Sequence, residues 1–120
     1  SSLGYQHSTS VMEEERINDI YEYCFQHYLE KIPLDAIASK AGLAPSSFCR
    51  YFKSKTGKSF TRFVLELRVG YACKLLLETR LPVKQVCYES GFNNFTSFHQ
   101  HFKAITGVSP QYYAKAHMQE

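Results

Sequence analysis

Gly91-Phe92-Asn93-Asn94-Phe95-Thr96-Ser97-Phe98-His99-Gln100-His101-Phe102-Lys103-Ala104-Ile105-Thr106-Gly107-Val108-Ser109 has a counterpart earlier in the same chain, Gly42-Leu43-Ala44-Pro45-Ser46-Ser47-Phe48-Cys49-Arg50-Tyr51-Phe52-Lys53-Ser54-Lys55-Thr56-Gly57-Lys58-Ser59. A shift of 50 places Phe48 on Phe98, Phe52 on Phe102, Lys53 on Lys103, Thr56-Gly57 on Thr106-Gly107 and Ser59 on Ser109. Just upstream the shift is 49, so that Ile37 falls on Val86 and Gly42 on Gly91, because the second turn is one residue longer. Internal repetition of this length marks one supersecondary unit used twice. Each copy reads as a short helix, a glycine-centred turn and a second helix with aromatics four residues apart.

The rest of the chain is helical by the same criteria. Ile17, Ile20, Tyr21, Cys24 and Tyr28 recur at spacings of three and four, which predicts a helix from Glu13 to about Glu30, before Pro33. Leu34, Ile37, Ala38 and Ala41 line a short helix that Gly42 stops, where a C-terminal cap favours positive φ. Pro45 opens the next helix at its first position and Gly57 closes it. A longer helix follows from about Phe60 to Glu78, with Ser59 as its N-cap. Pro82 restarts the chain in a helix ended by Gly91, another runs from Phe95 to about Ile105, and Ser109-Pro110 launches a last one to about His117. No strand-like alternation competes with these seven segments. The expectation is an all-α fold of seven helices: two helix-turn-helix subdomains, 13–58 and 80–120, joined by a long linker helix over 59–79, with residues 1–12 a disordered linker or tag remnant.

A short helix, a tight turn and a second helix can seat that second helix in the major groove of duplex DNA, whose width matches a helix with its side chains. One such unit is equally an ordinary helical hairpin; two copies with a common F-K-x-x-T-G-x-S ending are not easily read that way. A linker helix of about 20 residues is about 30 Å long, close to the roughly 34 Å between successive major grooves on one face of B-DNA. Charge points the same way. Glu13, Glu14, Glu15, Asp19 and Glu22 against Arg16 give residues 1–29 a net charge of −4; with a net +3 for the whole chain, the remaining 91 residues therefore carry +7. The four cysteines, at 24, 49, 73 and 87, have no C-x-x-C spacing, which suggests neither a zinc site nor a redox motif and fits reduced thiols in a cytoplasmic protein.

Ile37-Ala38-x-x-Ala41-Gly42, Phe48-x-Arg50-x-Phe52-Lys53-x-x-x-Gly57 and above all Gly91-Phe92-Asn93-Asn94-Phe95-Thr96-Ser97-Phe98 with Phe102-Lys103-x-x-x-Gly107-x-Ser109-Pro110-x-x-Tyr113 resemble the AraC/XylS family of transcription regulators. The resemblance runs from about Arg16 to Lys115. It implies seven helices with two helix-turn-helix units, and a bacterial regulator, often an activator, whose complete chain frequently carries a sensing or dimerising domain. It implies double-stranded DNA as partner, RNA polymerase as a further partner of the full regulator, and a monomeric fragment without a cofactor.

On the first candidate recognition helix, Phe48 and Phe52 claim the buried face and leave Ser46, Ser47, Cys49, Arg50 and Lys53 outside. Arg50 is the leading base reader, because a guanidinium can bond both acceptors of a guanine edge. Ser46 sits at the helix start, and Cys49 occupies a base-contact position by resemblance, although a thiol bonds poorly. On the second helix Thr96, Ser97 and Gln100 match the family's outward positions, and Gln100 can pair with an adenine edge. The family commonly has Arg there, and Arg again where this chain has Ala114. The expected base contacts are therefore Ser46, Cys49, Arg50, Thr96, Ser97 and Gln100. The expected phosphate contacts are Ser47, Lys53, Lys58, Asn94, His99 and Lys103, with Asn94 also suited to cap its helix. Phe95 fits either a thymine methyl or a staple at the helix entrance. His99 and His101, two apart on a helix, cannot share a face as a metal pair. No Ser/His/Asp set, phosphate-binding glycine loop or metal-spaced acidic pair marks an enzyme. A helical protein-interaction module with weak or lost DNA binding remains the alternative, since Ser46, Cys49 and Gln100 soften the readout.

Overall fold

A computed structural model describes the backbone of residues 2–117 and the side chains of residues 12–117. Its described residues form seven helices and no strand: α1 (Ser2–His27), α2 (Leu34–Lys40), α3 (Pro45–Thr56), α4 (Phe60–Glu78), α5 (Val83–Glu89), α6 (Phe95–Thr106) and α7 (Pro110–His117). The all-α expectation holds. The α1 boundaries differ from the periodic reading, since the helix starts at Ser2 rather than Glu13 and stops at His27 rather than near Glu30. The polar sequence of residues 2–12 carries no apolar periodicity and so gives no helical signal; at the other end, Tyr28 leaves the helix to join a different core.

The chain divides into two compact units, one of residues 1–27 and 32–60, the other of residues 28–31 and 61–120. In the first unit Ile20 and Cys24 of α1, Ile37 and Ala38 of α2, Ala41 after it, and Phe48 and Phe52 of α3 are all buried. Phe60 closes this core edge-on, its ring 5.3 Å from Phe48 and 5.6 Å from Phe52, a favoured geometry for aromatic pairs. Tyr21 meets Phe52 edge-on as well. On the side of α3 turned to α1, Lys55 pairs with Glu13 at 2.9 Å, and Arg16 and Lys55 flank the Tyr51 ring.

In the second unit Val69, Ala72 and Leu76 of α4 pack with Val86, Cys87, Phe92, Phe98 and Phe102. The α4 helix is thus not a free-standing linker: from Thr61 onward it belongs to the second unit and supplies one wall of its core. Arg68 fastens the short 28–31 segment to that wall, donating from Nε to the Tyr28 carbonyl at 2.7 Å and from a terminal nitrogen to the Glu30 carbonyl at 2.8 Å. Burial pulls the guanidinium below its ordinary pKa, and the two carbonyls give the desolvated charge its partners. At the far end Tyr113 of α7 packs edge-on against Phe102, and it joins Cys73 at the edge of this core.

The two units are built alike at their turns. Leu43 N–H reaches back to the Ala38 carbonyl at 2.9 Å, and Phe92 N–H to the Cys87 carbonyl at 3.1 Å. Those are the six-residue closures of a Schellman cap, which need positive φ at the intervening glycine; Gly42 has φ +75° and Gly91 +94°. The repeated T-G pair also has a local cause. Thr56 Oγ1 donates to the Phe52 carbonyl and accepts from Lys58 N–H, and Thr106 Oγ1 does the same with Phe102 and Val108. Each threonine ties off a helix end that the following left-handed glycine turns away from the axis.

Candidate nucleic-acid interface

At about 100° per residue, positions i, i+3, i+4 and i+7 share one face of a helix. In α3 that set is Ser46, Cys49, Arg50 and Lys53, all exposed, opposite the fully buried Phe48 and Phe52. In α6 it is Thr96, His99, Gln100 and Lys103; Thr96, Gln100 and Lys103 are exposed, His99 is half-buried, and Phe98 and Phe102 are fully buried behind them. The two stripes coincide residue for residue under the shift of 50. Arg50 and Gln100, the two side chains best suited to read a base edge, both face outward.

The expected contacts outside the stripes have other surroundings. Ser47 and Ser97 are half-buried and stand about 100° around from Ser46 and Thr96. Ser97 N–H is engaged at the start of α6, where it donates to Asn94 Oδ1 at 2.8 Å. Asn94 is therefore an N-cap, with extended backbone and its side-chain oxygen accepting from Ser97 N–H. The two reading helices differ here, since Ala44 gives α3 no side-chain cap and Pro45 stands in its first turn. Lys58 lies beyond the C-terminal cap of α3, exposed, with its backbone N–H on Thr56. Phe95 is half-buried against the second core and near Phe98, at 6.2 Å between ring centroids, the staple arrangement rather than an outward one. His101 stacks with Phe92 at 6.4 Å and so turns away from His99.

Cys49 is exposed, Cys73 half-buried, and Cys24 and Cys87 buried; all four are free thiols. Among the described residues no group of three or more His, Cys, Asp or Glu side chains stands close enough to hold a metal ion, and no helix is long and apolar enough to cross a membrane. Sequence reasoning missed Arg68, Tyr51 and the two capping threonines. The repeat itself could have flagged the threonines, because a T-G pair kept at the end of both aromatic helices asks for a reason. Arg68 had no such signal, since its partners lie 38 and 40 residues away.

Comparison with known proteins agrees with this architecture. A family model described as a helix-turn-helix domain matches residues 37–116. The chain is 32% identical over 113 residues to the uncharacterized HTH-type transcriptional regulator YdeC of Bacillus subtilis, covering 94% of this chain and 38% of that protein. It is 37% identical over 101 residues to the "Probable transcriptional regulator LumQ" of Photobacterium leiognathi, covering 82% of this chain and 41% of that one. It thus spans about two-fifths of these relatives' length. Among solved structures, the DNA-binding domain of the global transcriptional factor AdpA, in complex with a target DNA, superposes with a TM-score of 0.76 at 26% identity, covering 82% of this chain and 89% of that domain. With two helix-turn-helix units built on one repeat, and residues 37–116 of 120 matched, the chain belongs to the helix-turn-helix family of the AraC/XylS type.

Proposed function

We propose that this chain binds double-stranded DNA at a defined sequence and regulates transcription, with α3 and α6 each entering a major groove, successive along the duplex. The observation that carries the reading is the pair of outward stripes, Ser46/Cys49/Arg50/Lys53 and Thr96/His99/Gln100/Lys103, each backed by two fully buried phenylalanines. A helix whose apolar half is consumed by its own core and whose other half offers donors and cations suits a groove lined by base acceptors and flanked by phosphates. Arg50 reads a guanine edge and Gln100 an adenine edge, with Ser46, Cys49, Thr96 and Ser97 completing the base contacts. Lys53, Lys58, Lys103, Ser47 and Asn94 bind phosphates and set the register. The AdpA domain, solved on its target DNA, supports this choice over a protein-interaction module.

In this reading the chain acts in the cytoplasm without catalysis of its own, is monomeric in isolation, and contacts RNA polymerase within a longer activator. Selection of bound sequences from a random duplex pool, followed by footprinting and salt titration on the winner, tests it. The expected result is an enriched motif with two protected segments about one helical turn apart, and an affinity that falls steeply with salt. Failure to enrich any motif at low ionic strength refutes sequence-specific binding and favours the protein-interaction alternative.

A further inference from the structure

The two stripes are superposable in position but not in chemistry. In α3 two of the four places are cations, Arg50 and Lys53, and the other two are the small Ser46 and the weakly bonding thiol of Cys49. In α6 only Lys103 is a lysine or arginine; Thr96, His99 and Gln100 are hydrogen-bonding side chains. The register of the repeat puts His99 where α3 has Cys49, half-buried at the edge of the outward face and one turn on from Thr96. Ser97, by contrast, stands on the flank with its N–H held by Asn94. The other histidine of α6 is taken by its stacking on Phe92, so His99 alone of the two stands on the stripe.

Resting on the DNA-binding reading above, we infer that His99 is a base-reading, specificity-determining residue of α6. A neutral imidazole has one N–H donor and one bare nitrogen acceptor. Its N–H fits the N7 acceptor that both purines present in the major groove, one base step from the adenine edge taken by Gln100. A side chain on the groove-facing stripe, one turn on from Thr96, adds purine preference at one base pair. A phosphate contact from the same residue would add affinity on every sequence.

The experiment compares the whole chain with its His99→Ala and Lys53→Ala variants. Each is put through the same random-pool selection and a salt titration on the wild-type motif, with circular dichroism confirming helicity. His99→Ala is expected to flatten the preference at one base pair by about five- to tenfold, as loss of a base contact does, and to leave the slope of log affinity against log salt unchanged. Lys53→Ala is expected to keep the motif while reducing the salt slope by about one. Two outcomes overturn the assignment: an unaltered motif for His99→Ala, or a uniform loss across sequences with a reduced slope, which marks a phosphate contact. A wild-type chain that selects no motif sinks the DNA-binding reading itself, a result distinct from either.

Discussion

Gly42 and Gly91 occupy equivalent turns, yet replacing each by alanine should cost very different amounts. Both have positive φ, +75° and +94°, so a Cβ at either incurs the left-handed strain of roughly 1–2 kcal/mol. Reduced freedom of the unfolded chain offsets that by about 0.4–1 kcal/mol. At Gly42 a Cβ would meet nothing within 4 Å, and the net loss should be about 1 kcal/mol. At Gly91 it would stand 3.1 Å from Arg68 Nε and 3.1 Å from the Leu29 carbonyl oxygen. Backbone oxygen cannot step aside cheaply. Arg68 can, but only by loosening its 2.7 Å bond to the Tyr28 carbonyl, a charged hydrogen bond of about 1.5–3 kcal/mol. Gly91→Ala should therefore cost about 3 kcal/mol in all, roughly 2 more than Gly42→Ala. Urea unfolding followed by far-ultraviolet circular dichroism measures both. Repeating Gly91→Ala in an Arg68→Ala background should recover at least about 1 kcal/mol of the difference, because the bond is already gone. If Gly91→Ala proves no costlier than Gly42→Ala, the close approach of Arg68 and the 28–31 segment to this turn does not contribute to stability as argued.

The other expectations concern reading, capping and thiol chemistry. Arg50→Ala should relax base preference at one position by about 1–3 kcal/mol, whereas Lys53→Ala should weaken matched and scrambled duplexes alike; parallel losses for both in a mobility shift would undo the assignment of Arg50 to a base. Asn94→Ala should cost about 1 kcal/mol of stability, since it removes the acceptor for Ser97 N–H at the head of α6; an unchanged urea midpoint would argue against that cap. Burial pushes the Cys24 thiol up to about 11 from an ordinary 9.0, so near pH 8 a thiol reagent should label the exposed Cys49 first and Cys24 only on unfolding. Because the unfolded thiol ionises first, the stability that buried Cys24 contributes should be intact below pH 9 and decline as pH rises toward 11, and a Cys24→Ala variant should lack this contribution to the alkaline decline.

Much of the fold was legible before any coordinates. Gly42, Gly57, Gly91 and Gly107 stop helices, Pro45 and Ser109-Pro110 start them, and Phe48/Phe52 and Phe98/Phe102 mark the inward face of each reading helix. From that face the outward stripe follows, Arg50 and Gln100 included. By sequence, Ser97 reads as a base contact and His99 as a phosphate contact; in the structure Ser97 is half-buried with its N–H on Asn94.

These features are encoded within single turns and single helices, where neighbours along the chain are neighbours in space, and so the sequence alone determined seven helices, two repeated units and which face of α3 and α6 is free. Folding in three dimensions decided the rest. Which core receives α4 after Thr61, how Arg68 pins Tyr28 and Glu30, and why a Cβ at Gly91 would crowd Arg68 and the Leu29 carbonyl all depend on partners tens of residues apart. Periodicity in a linear chain does not record them, because it reports which side of an element is apolar and not what that side touches.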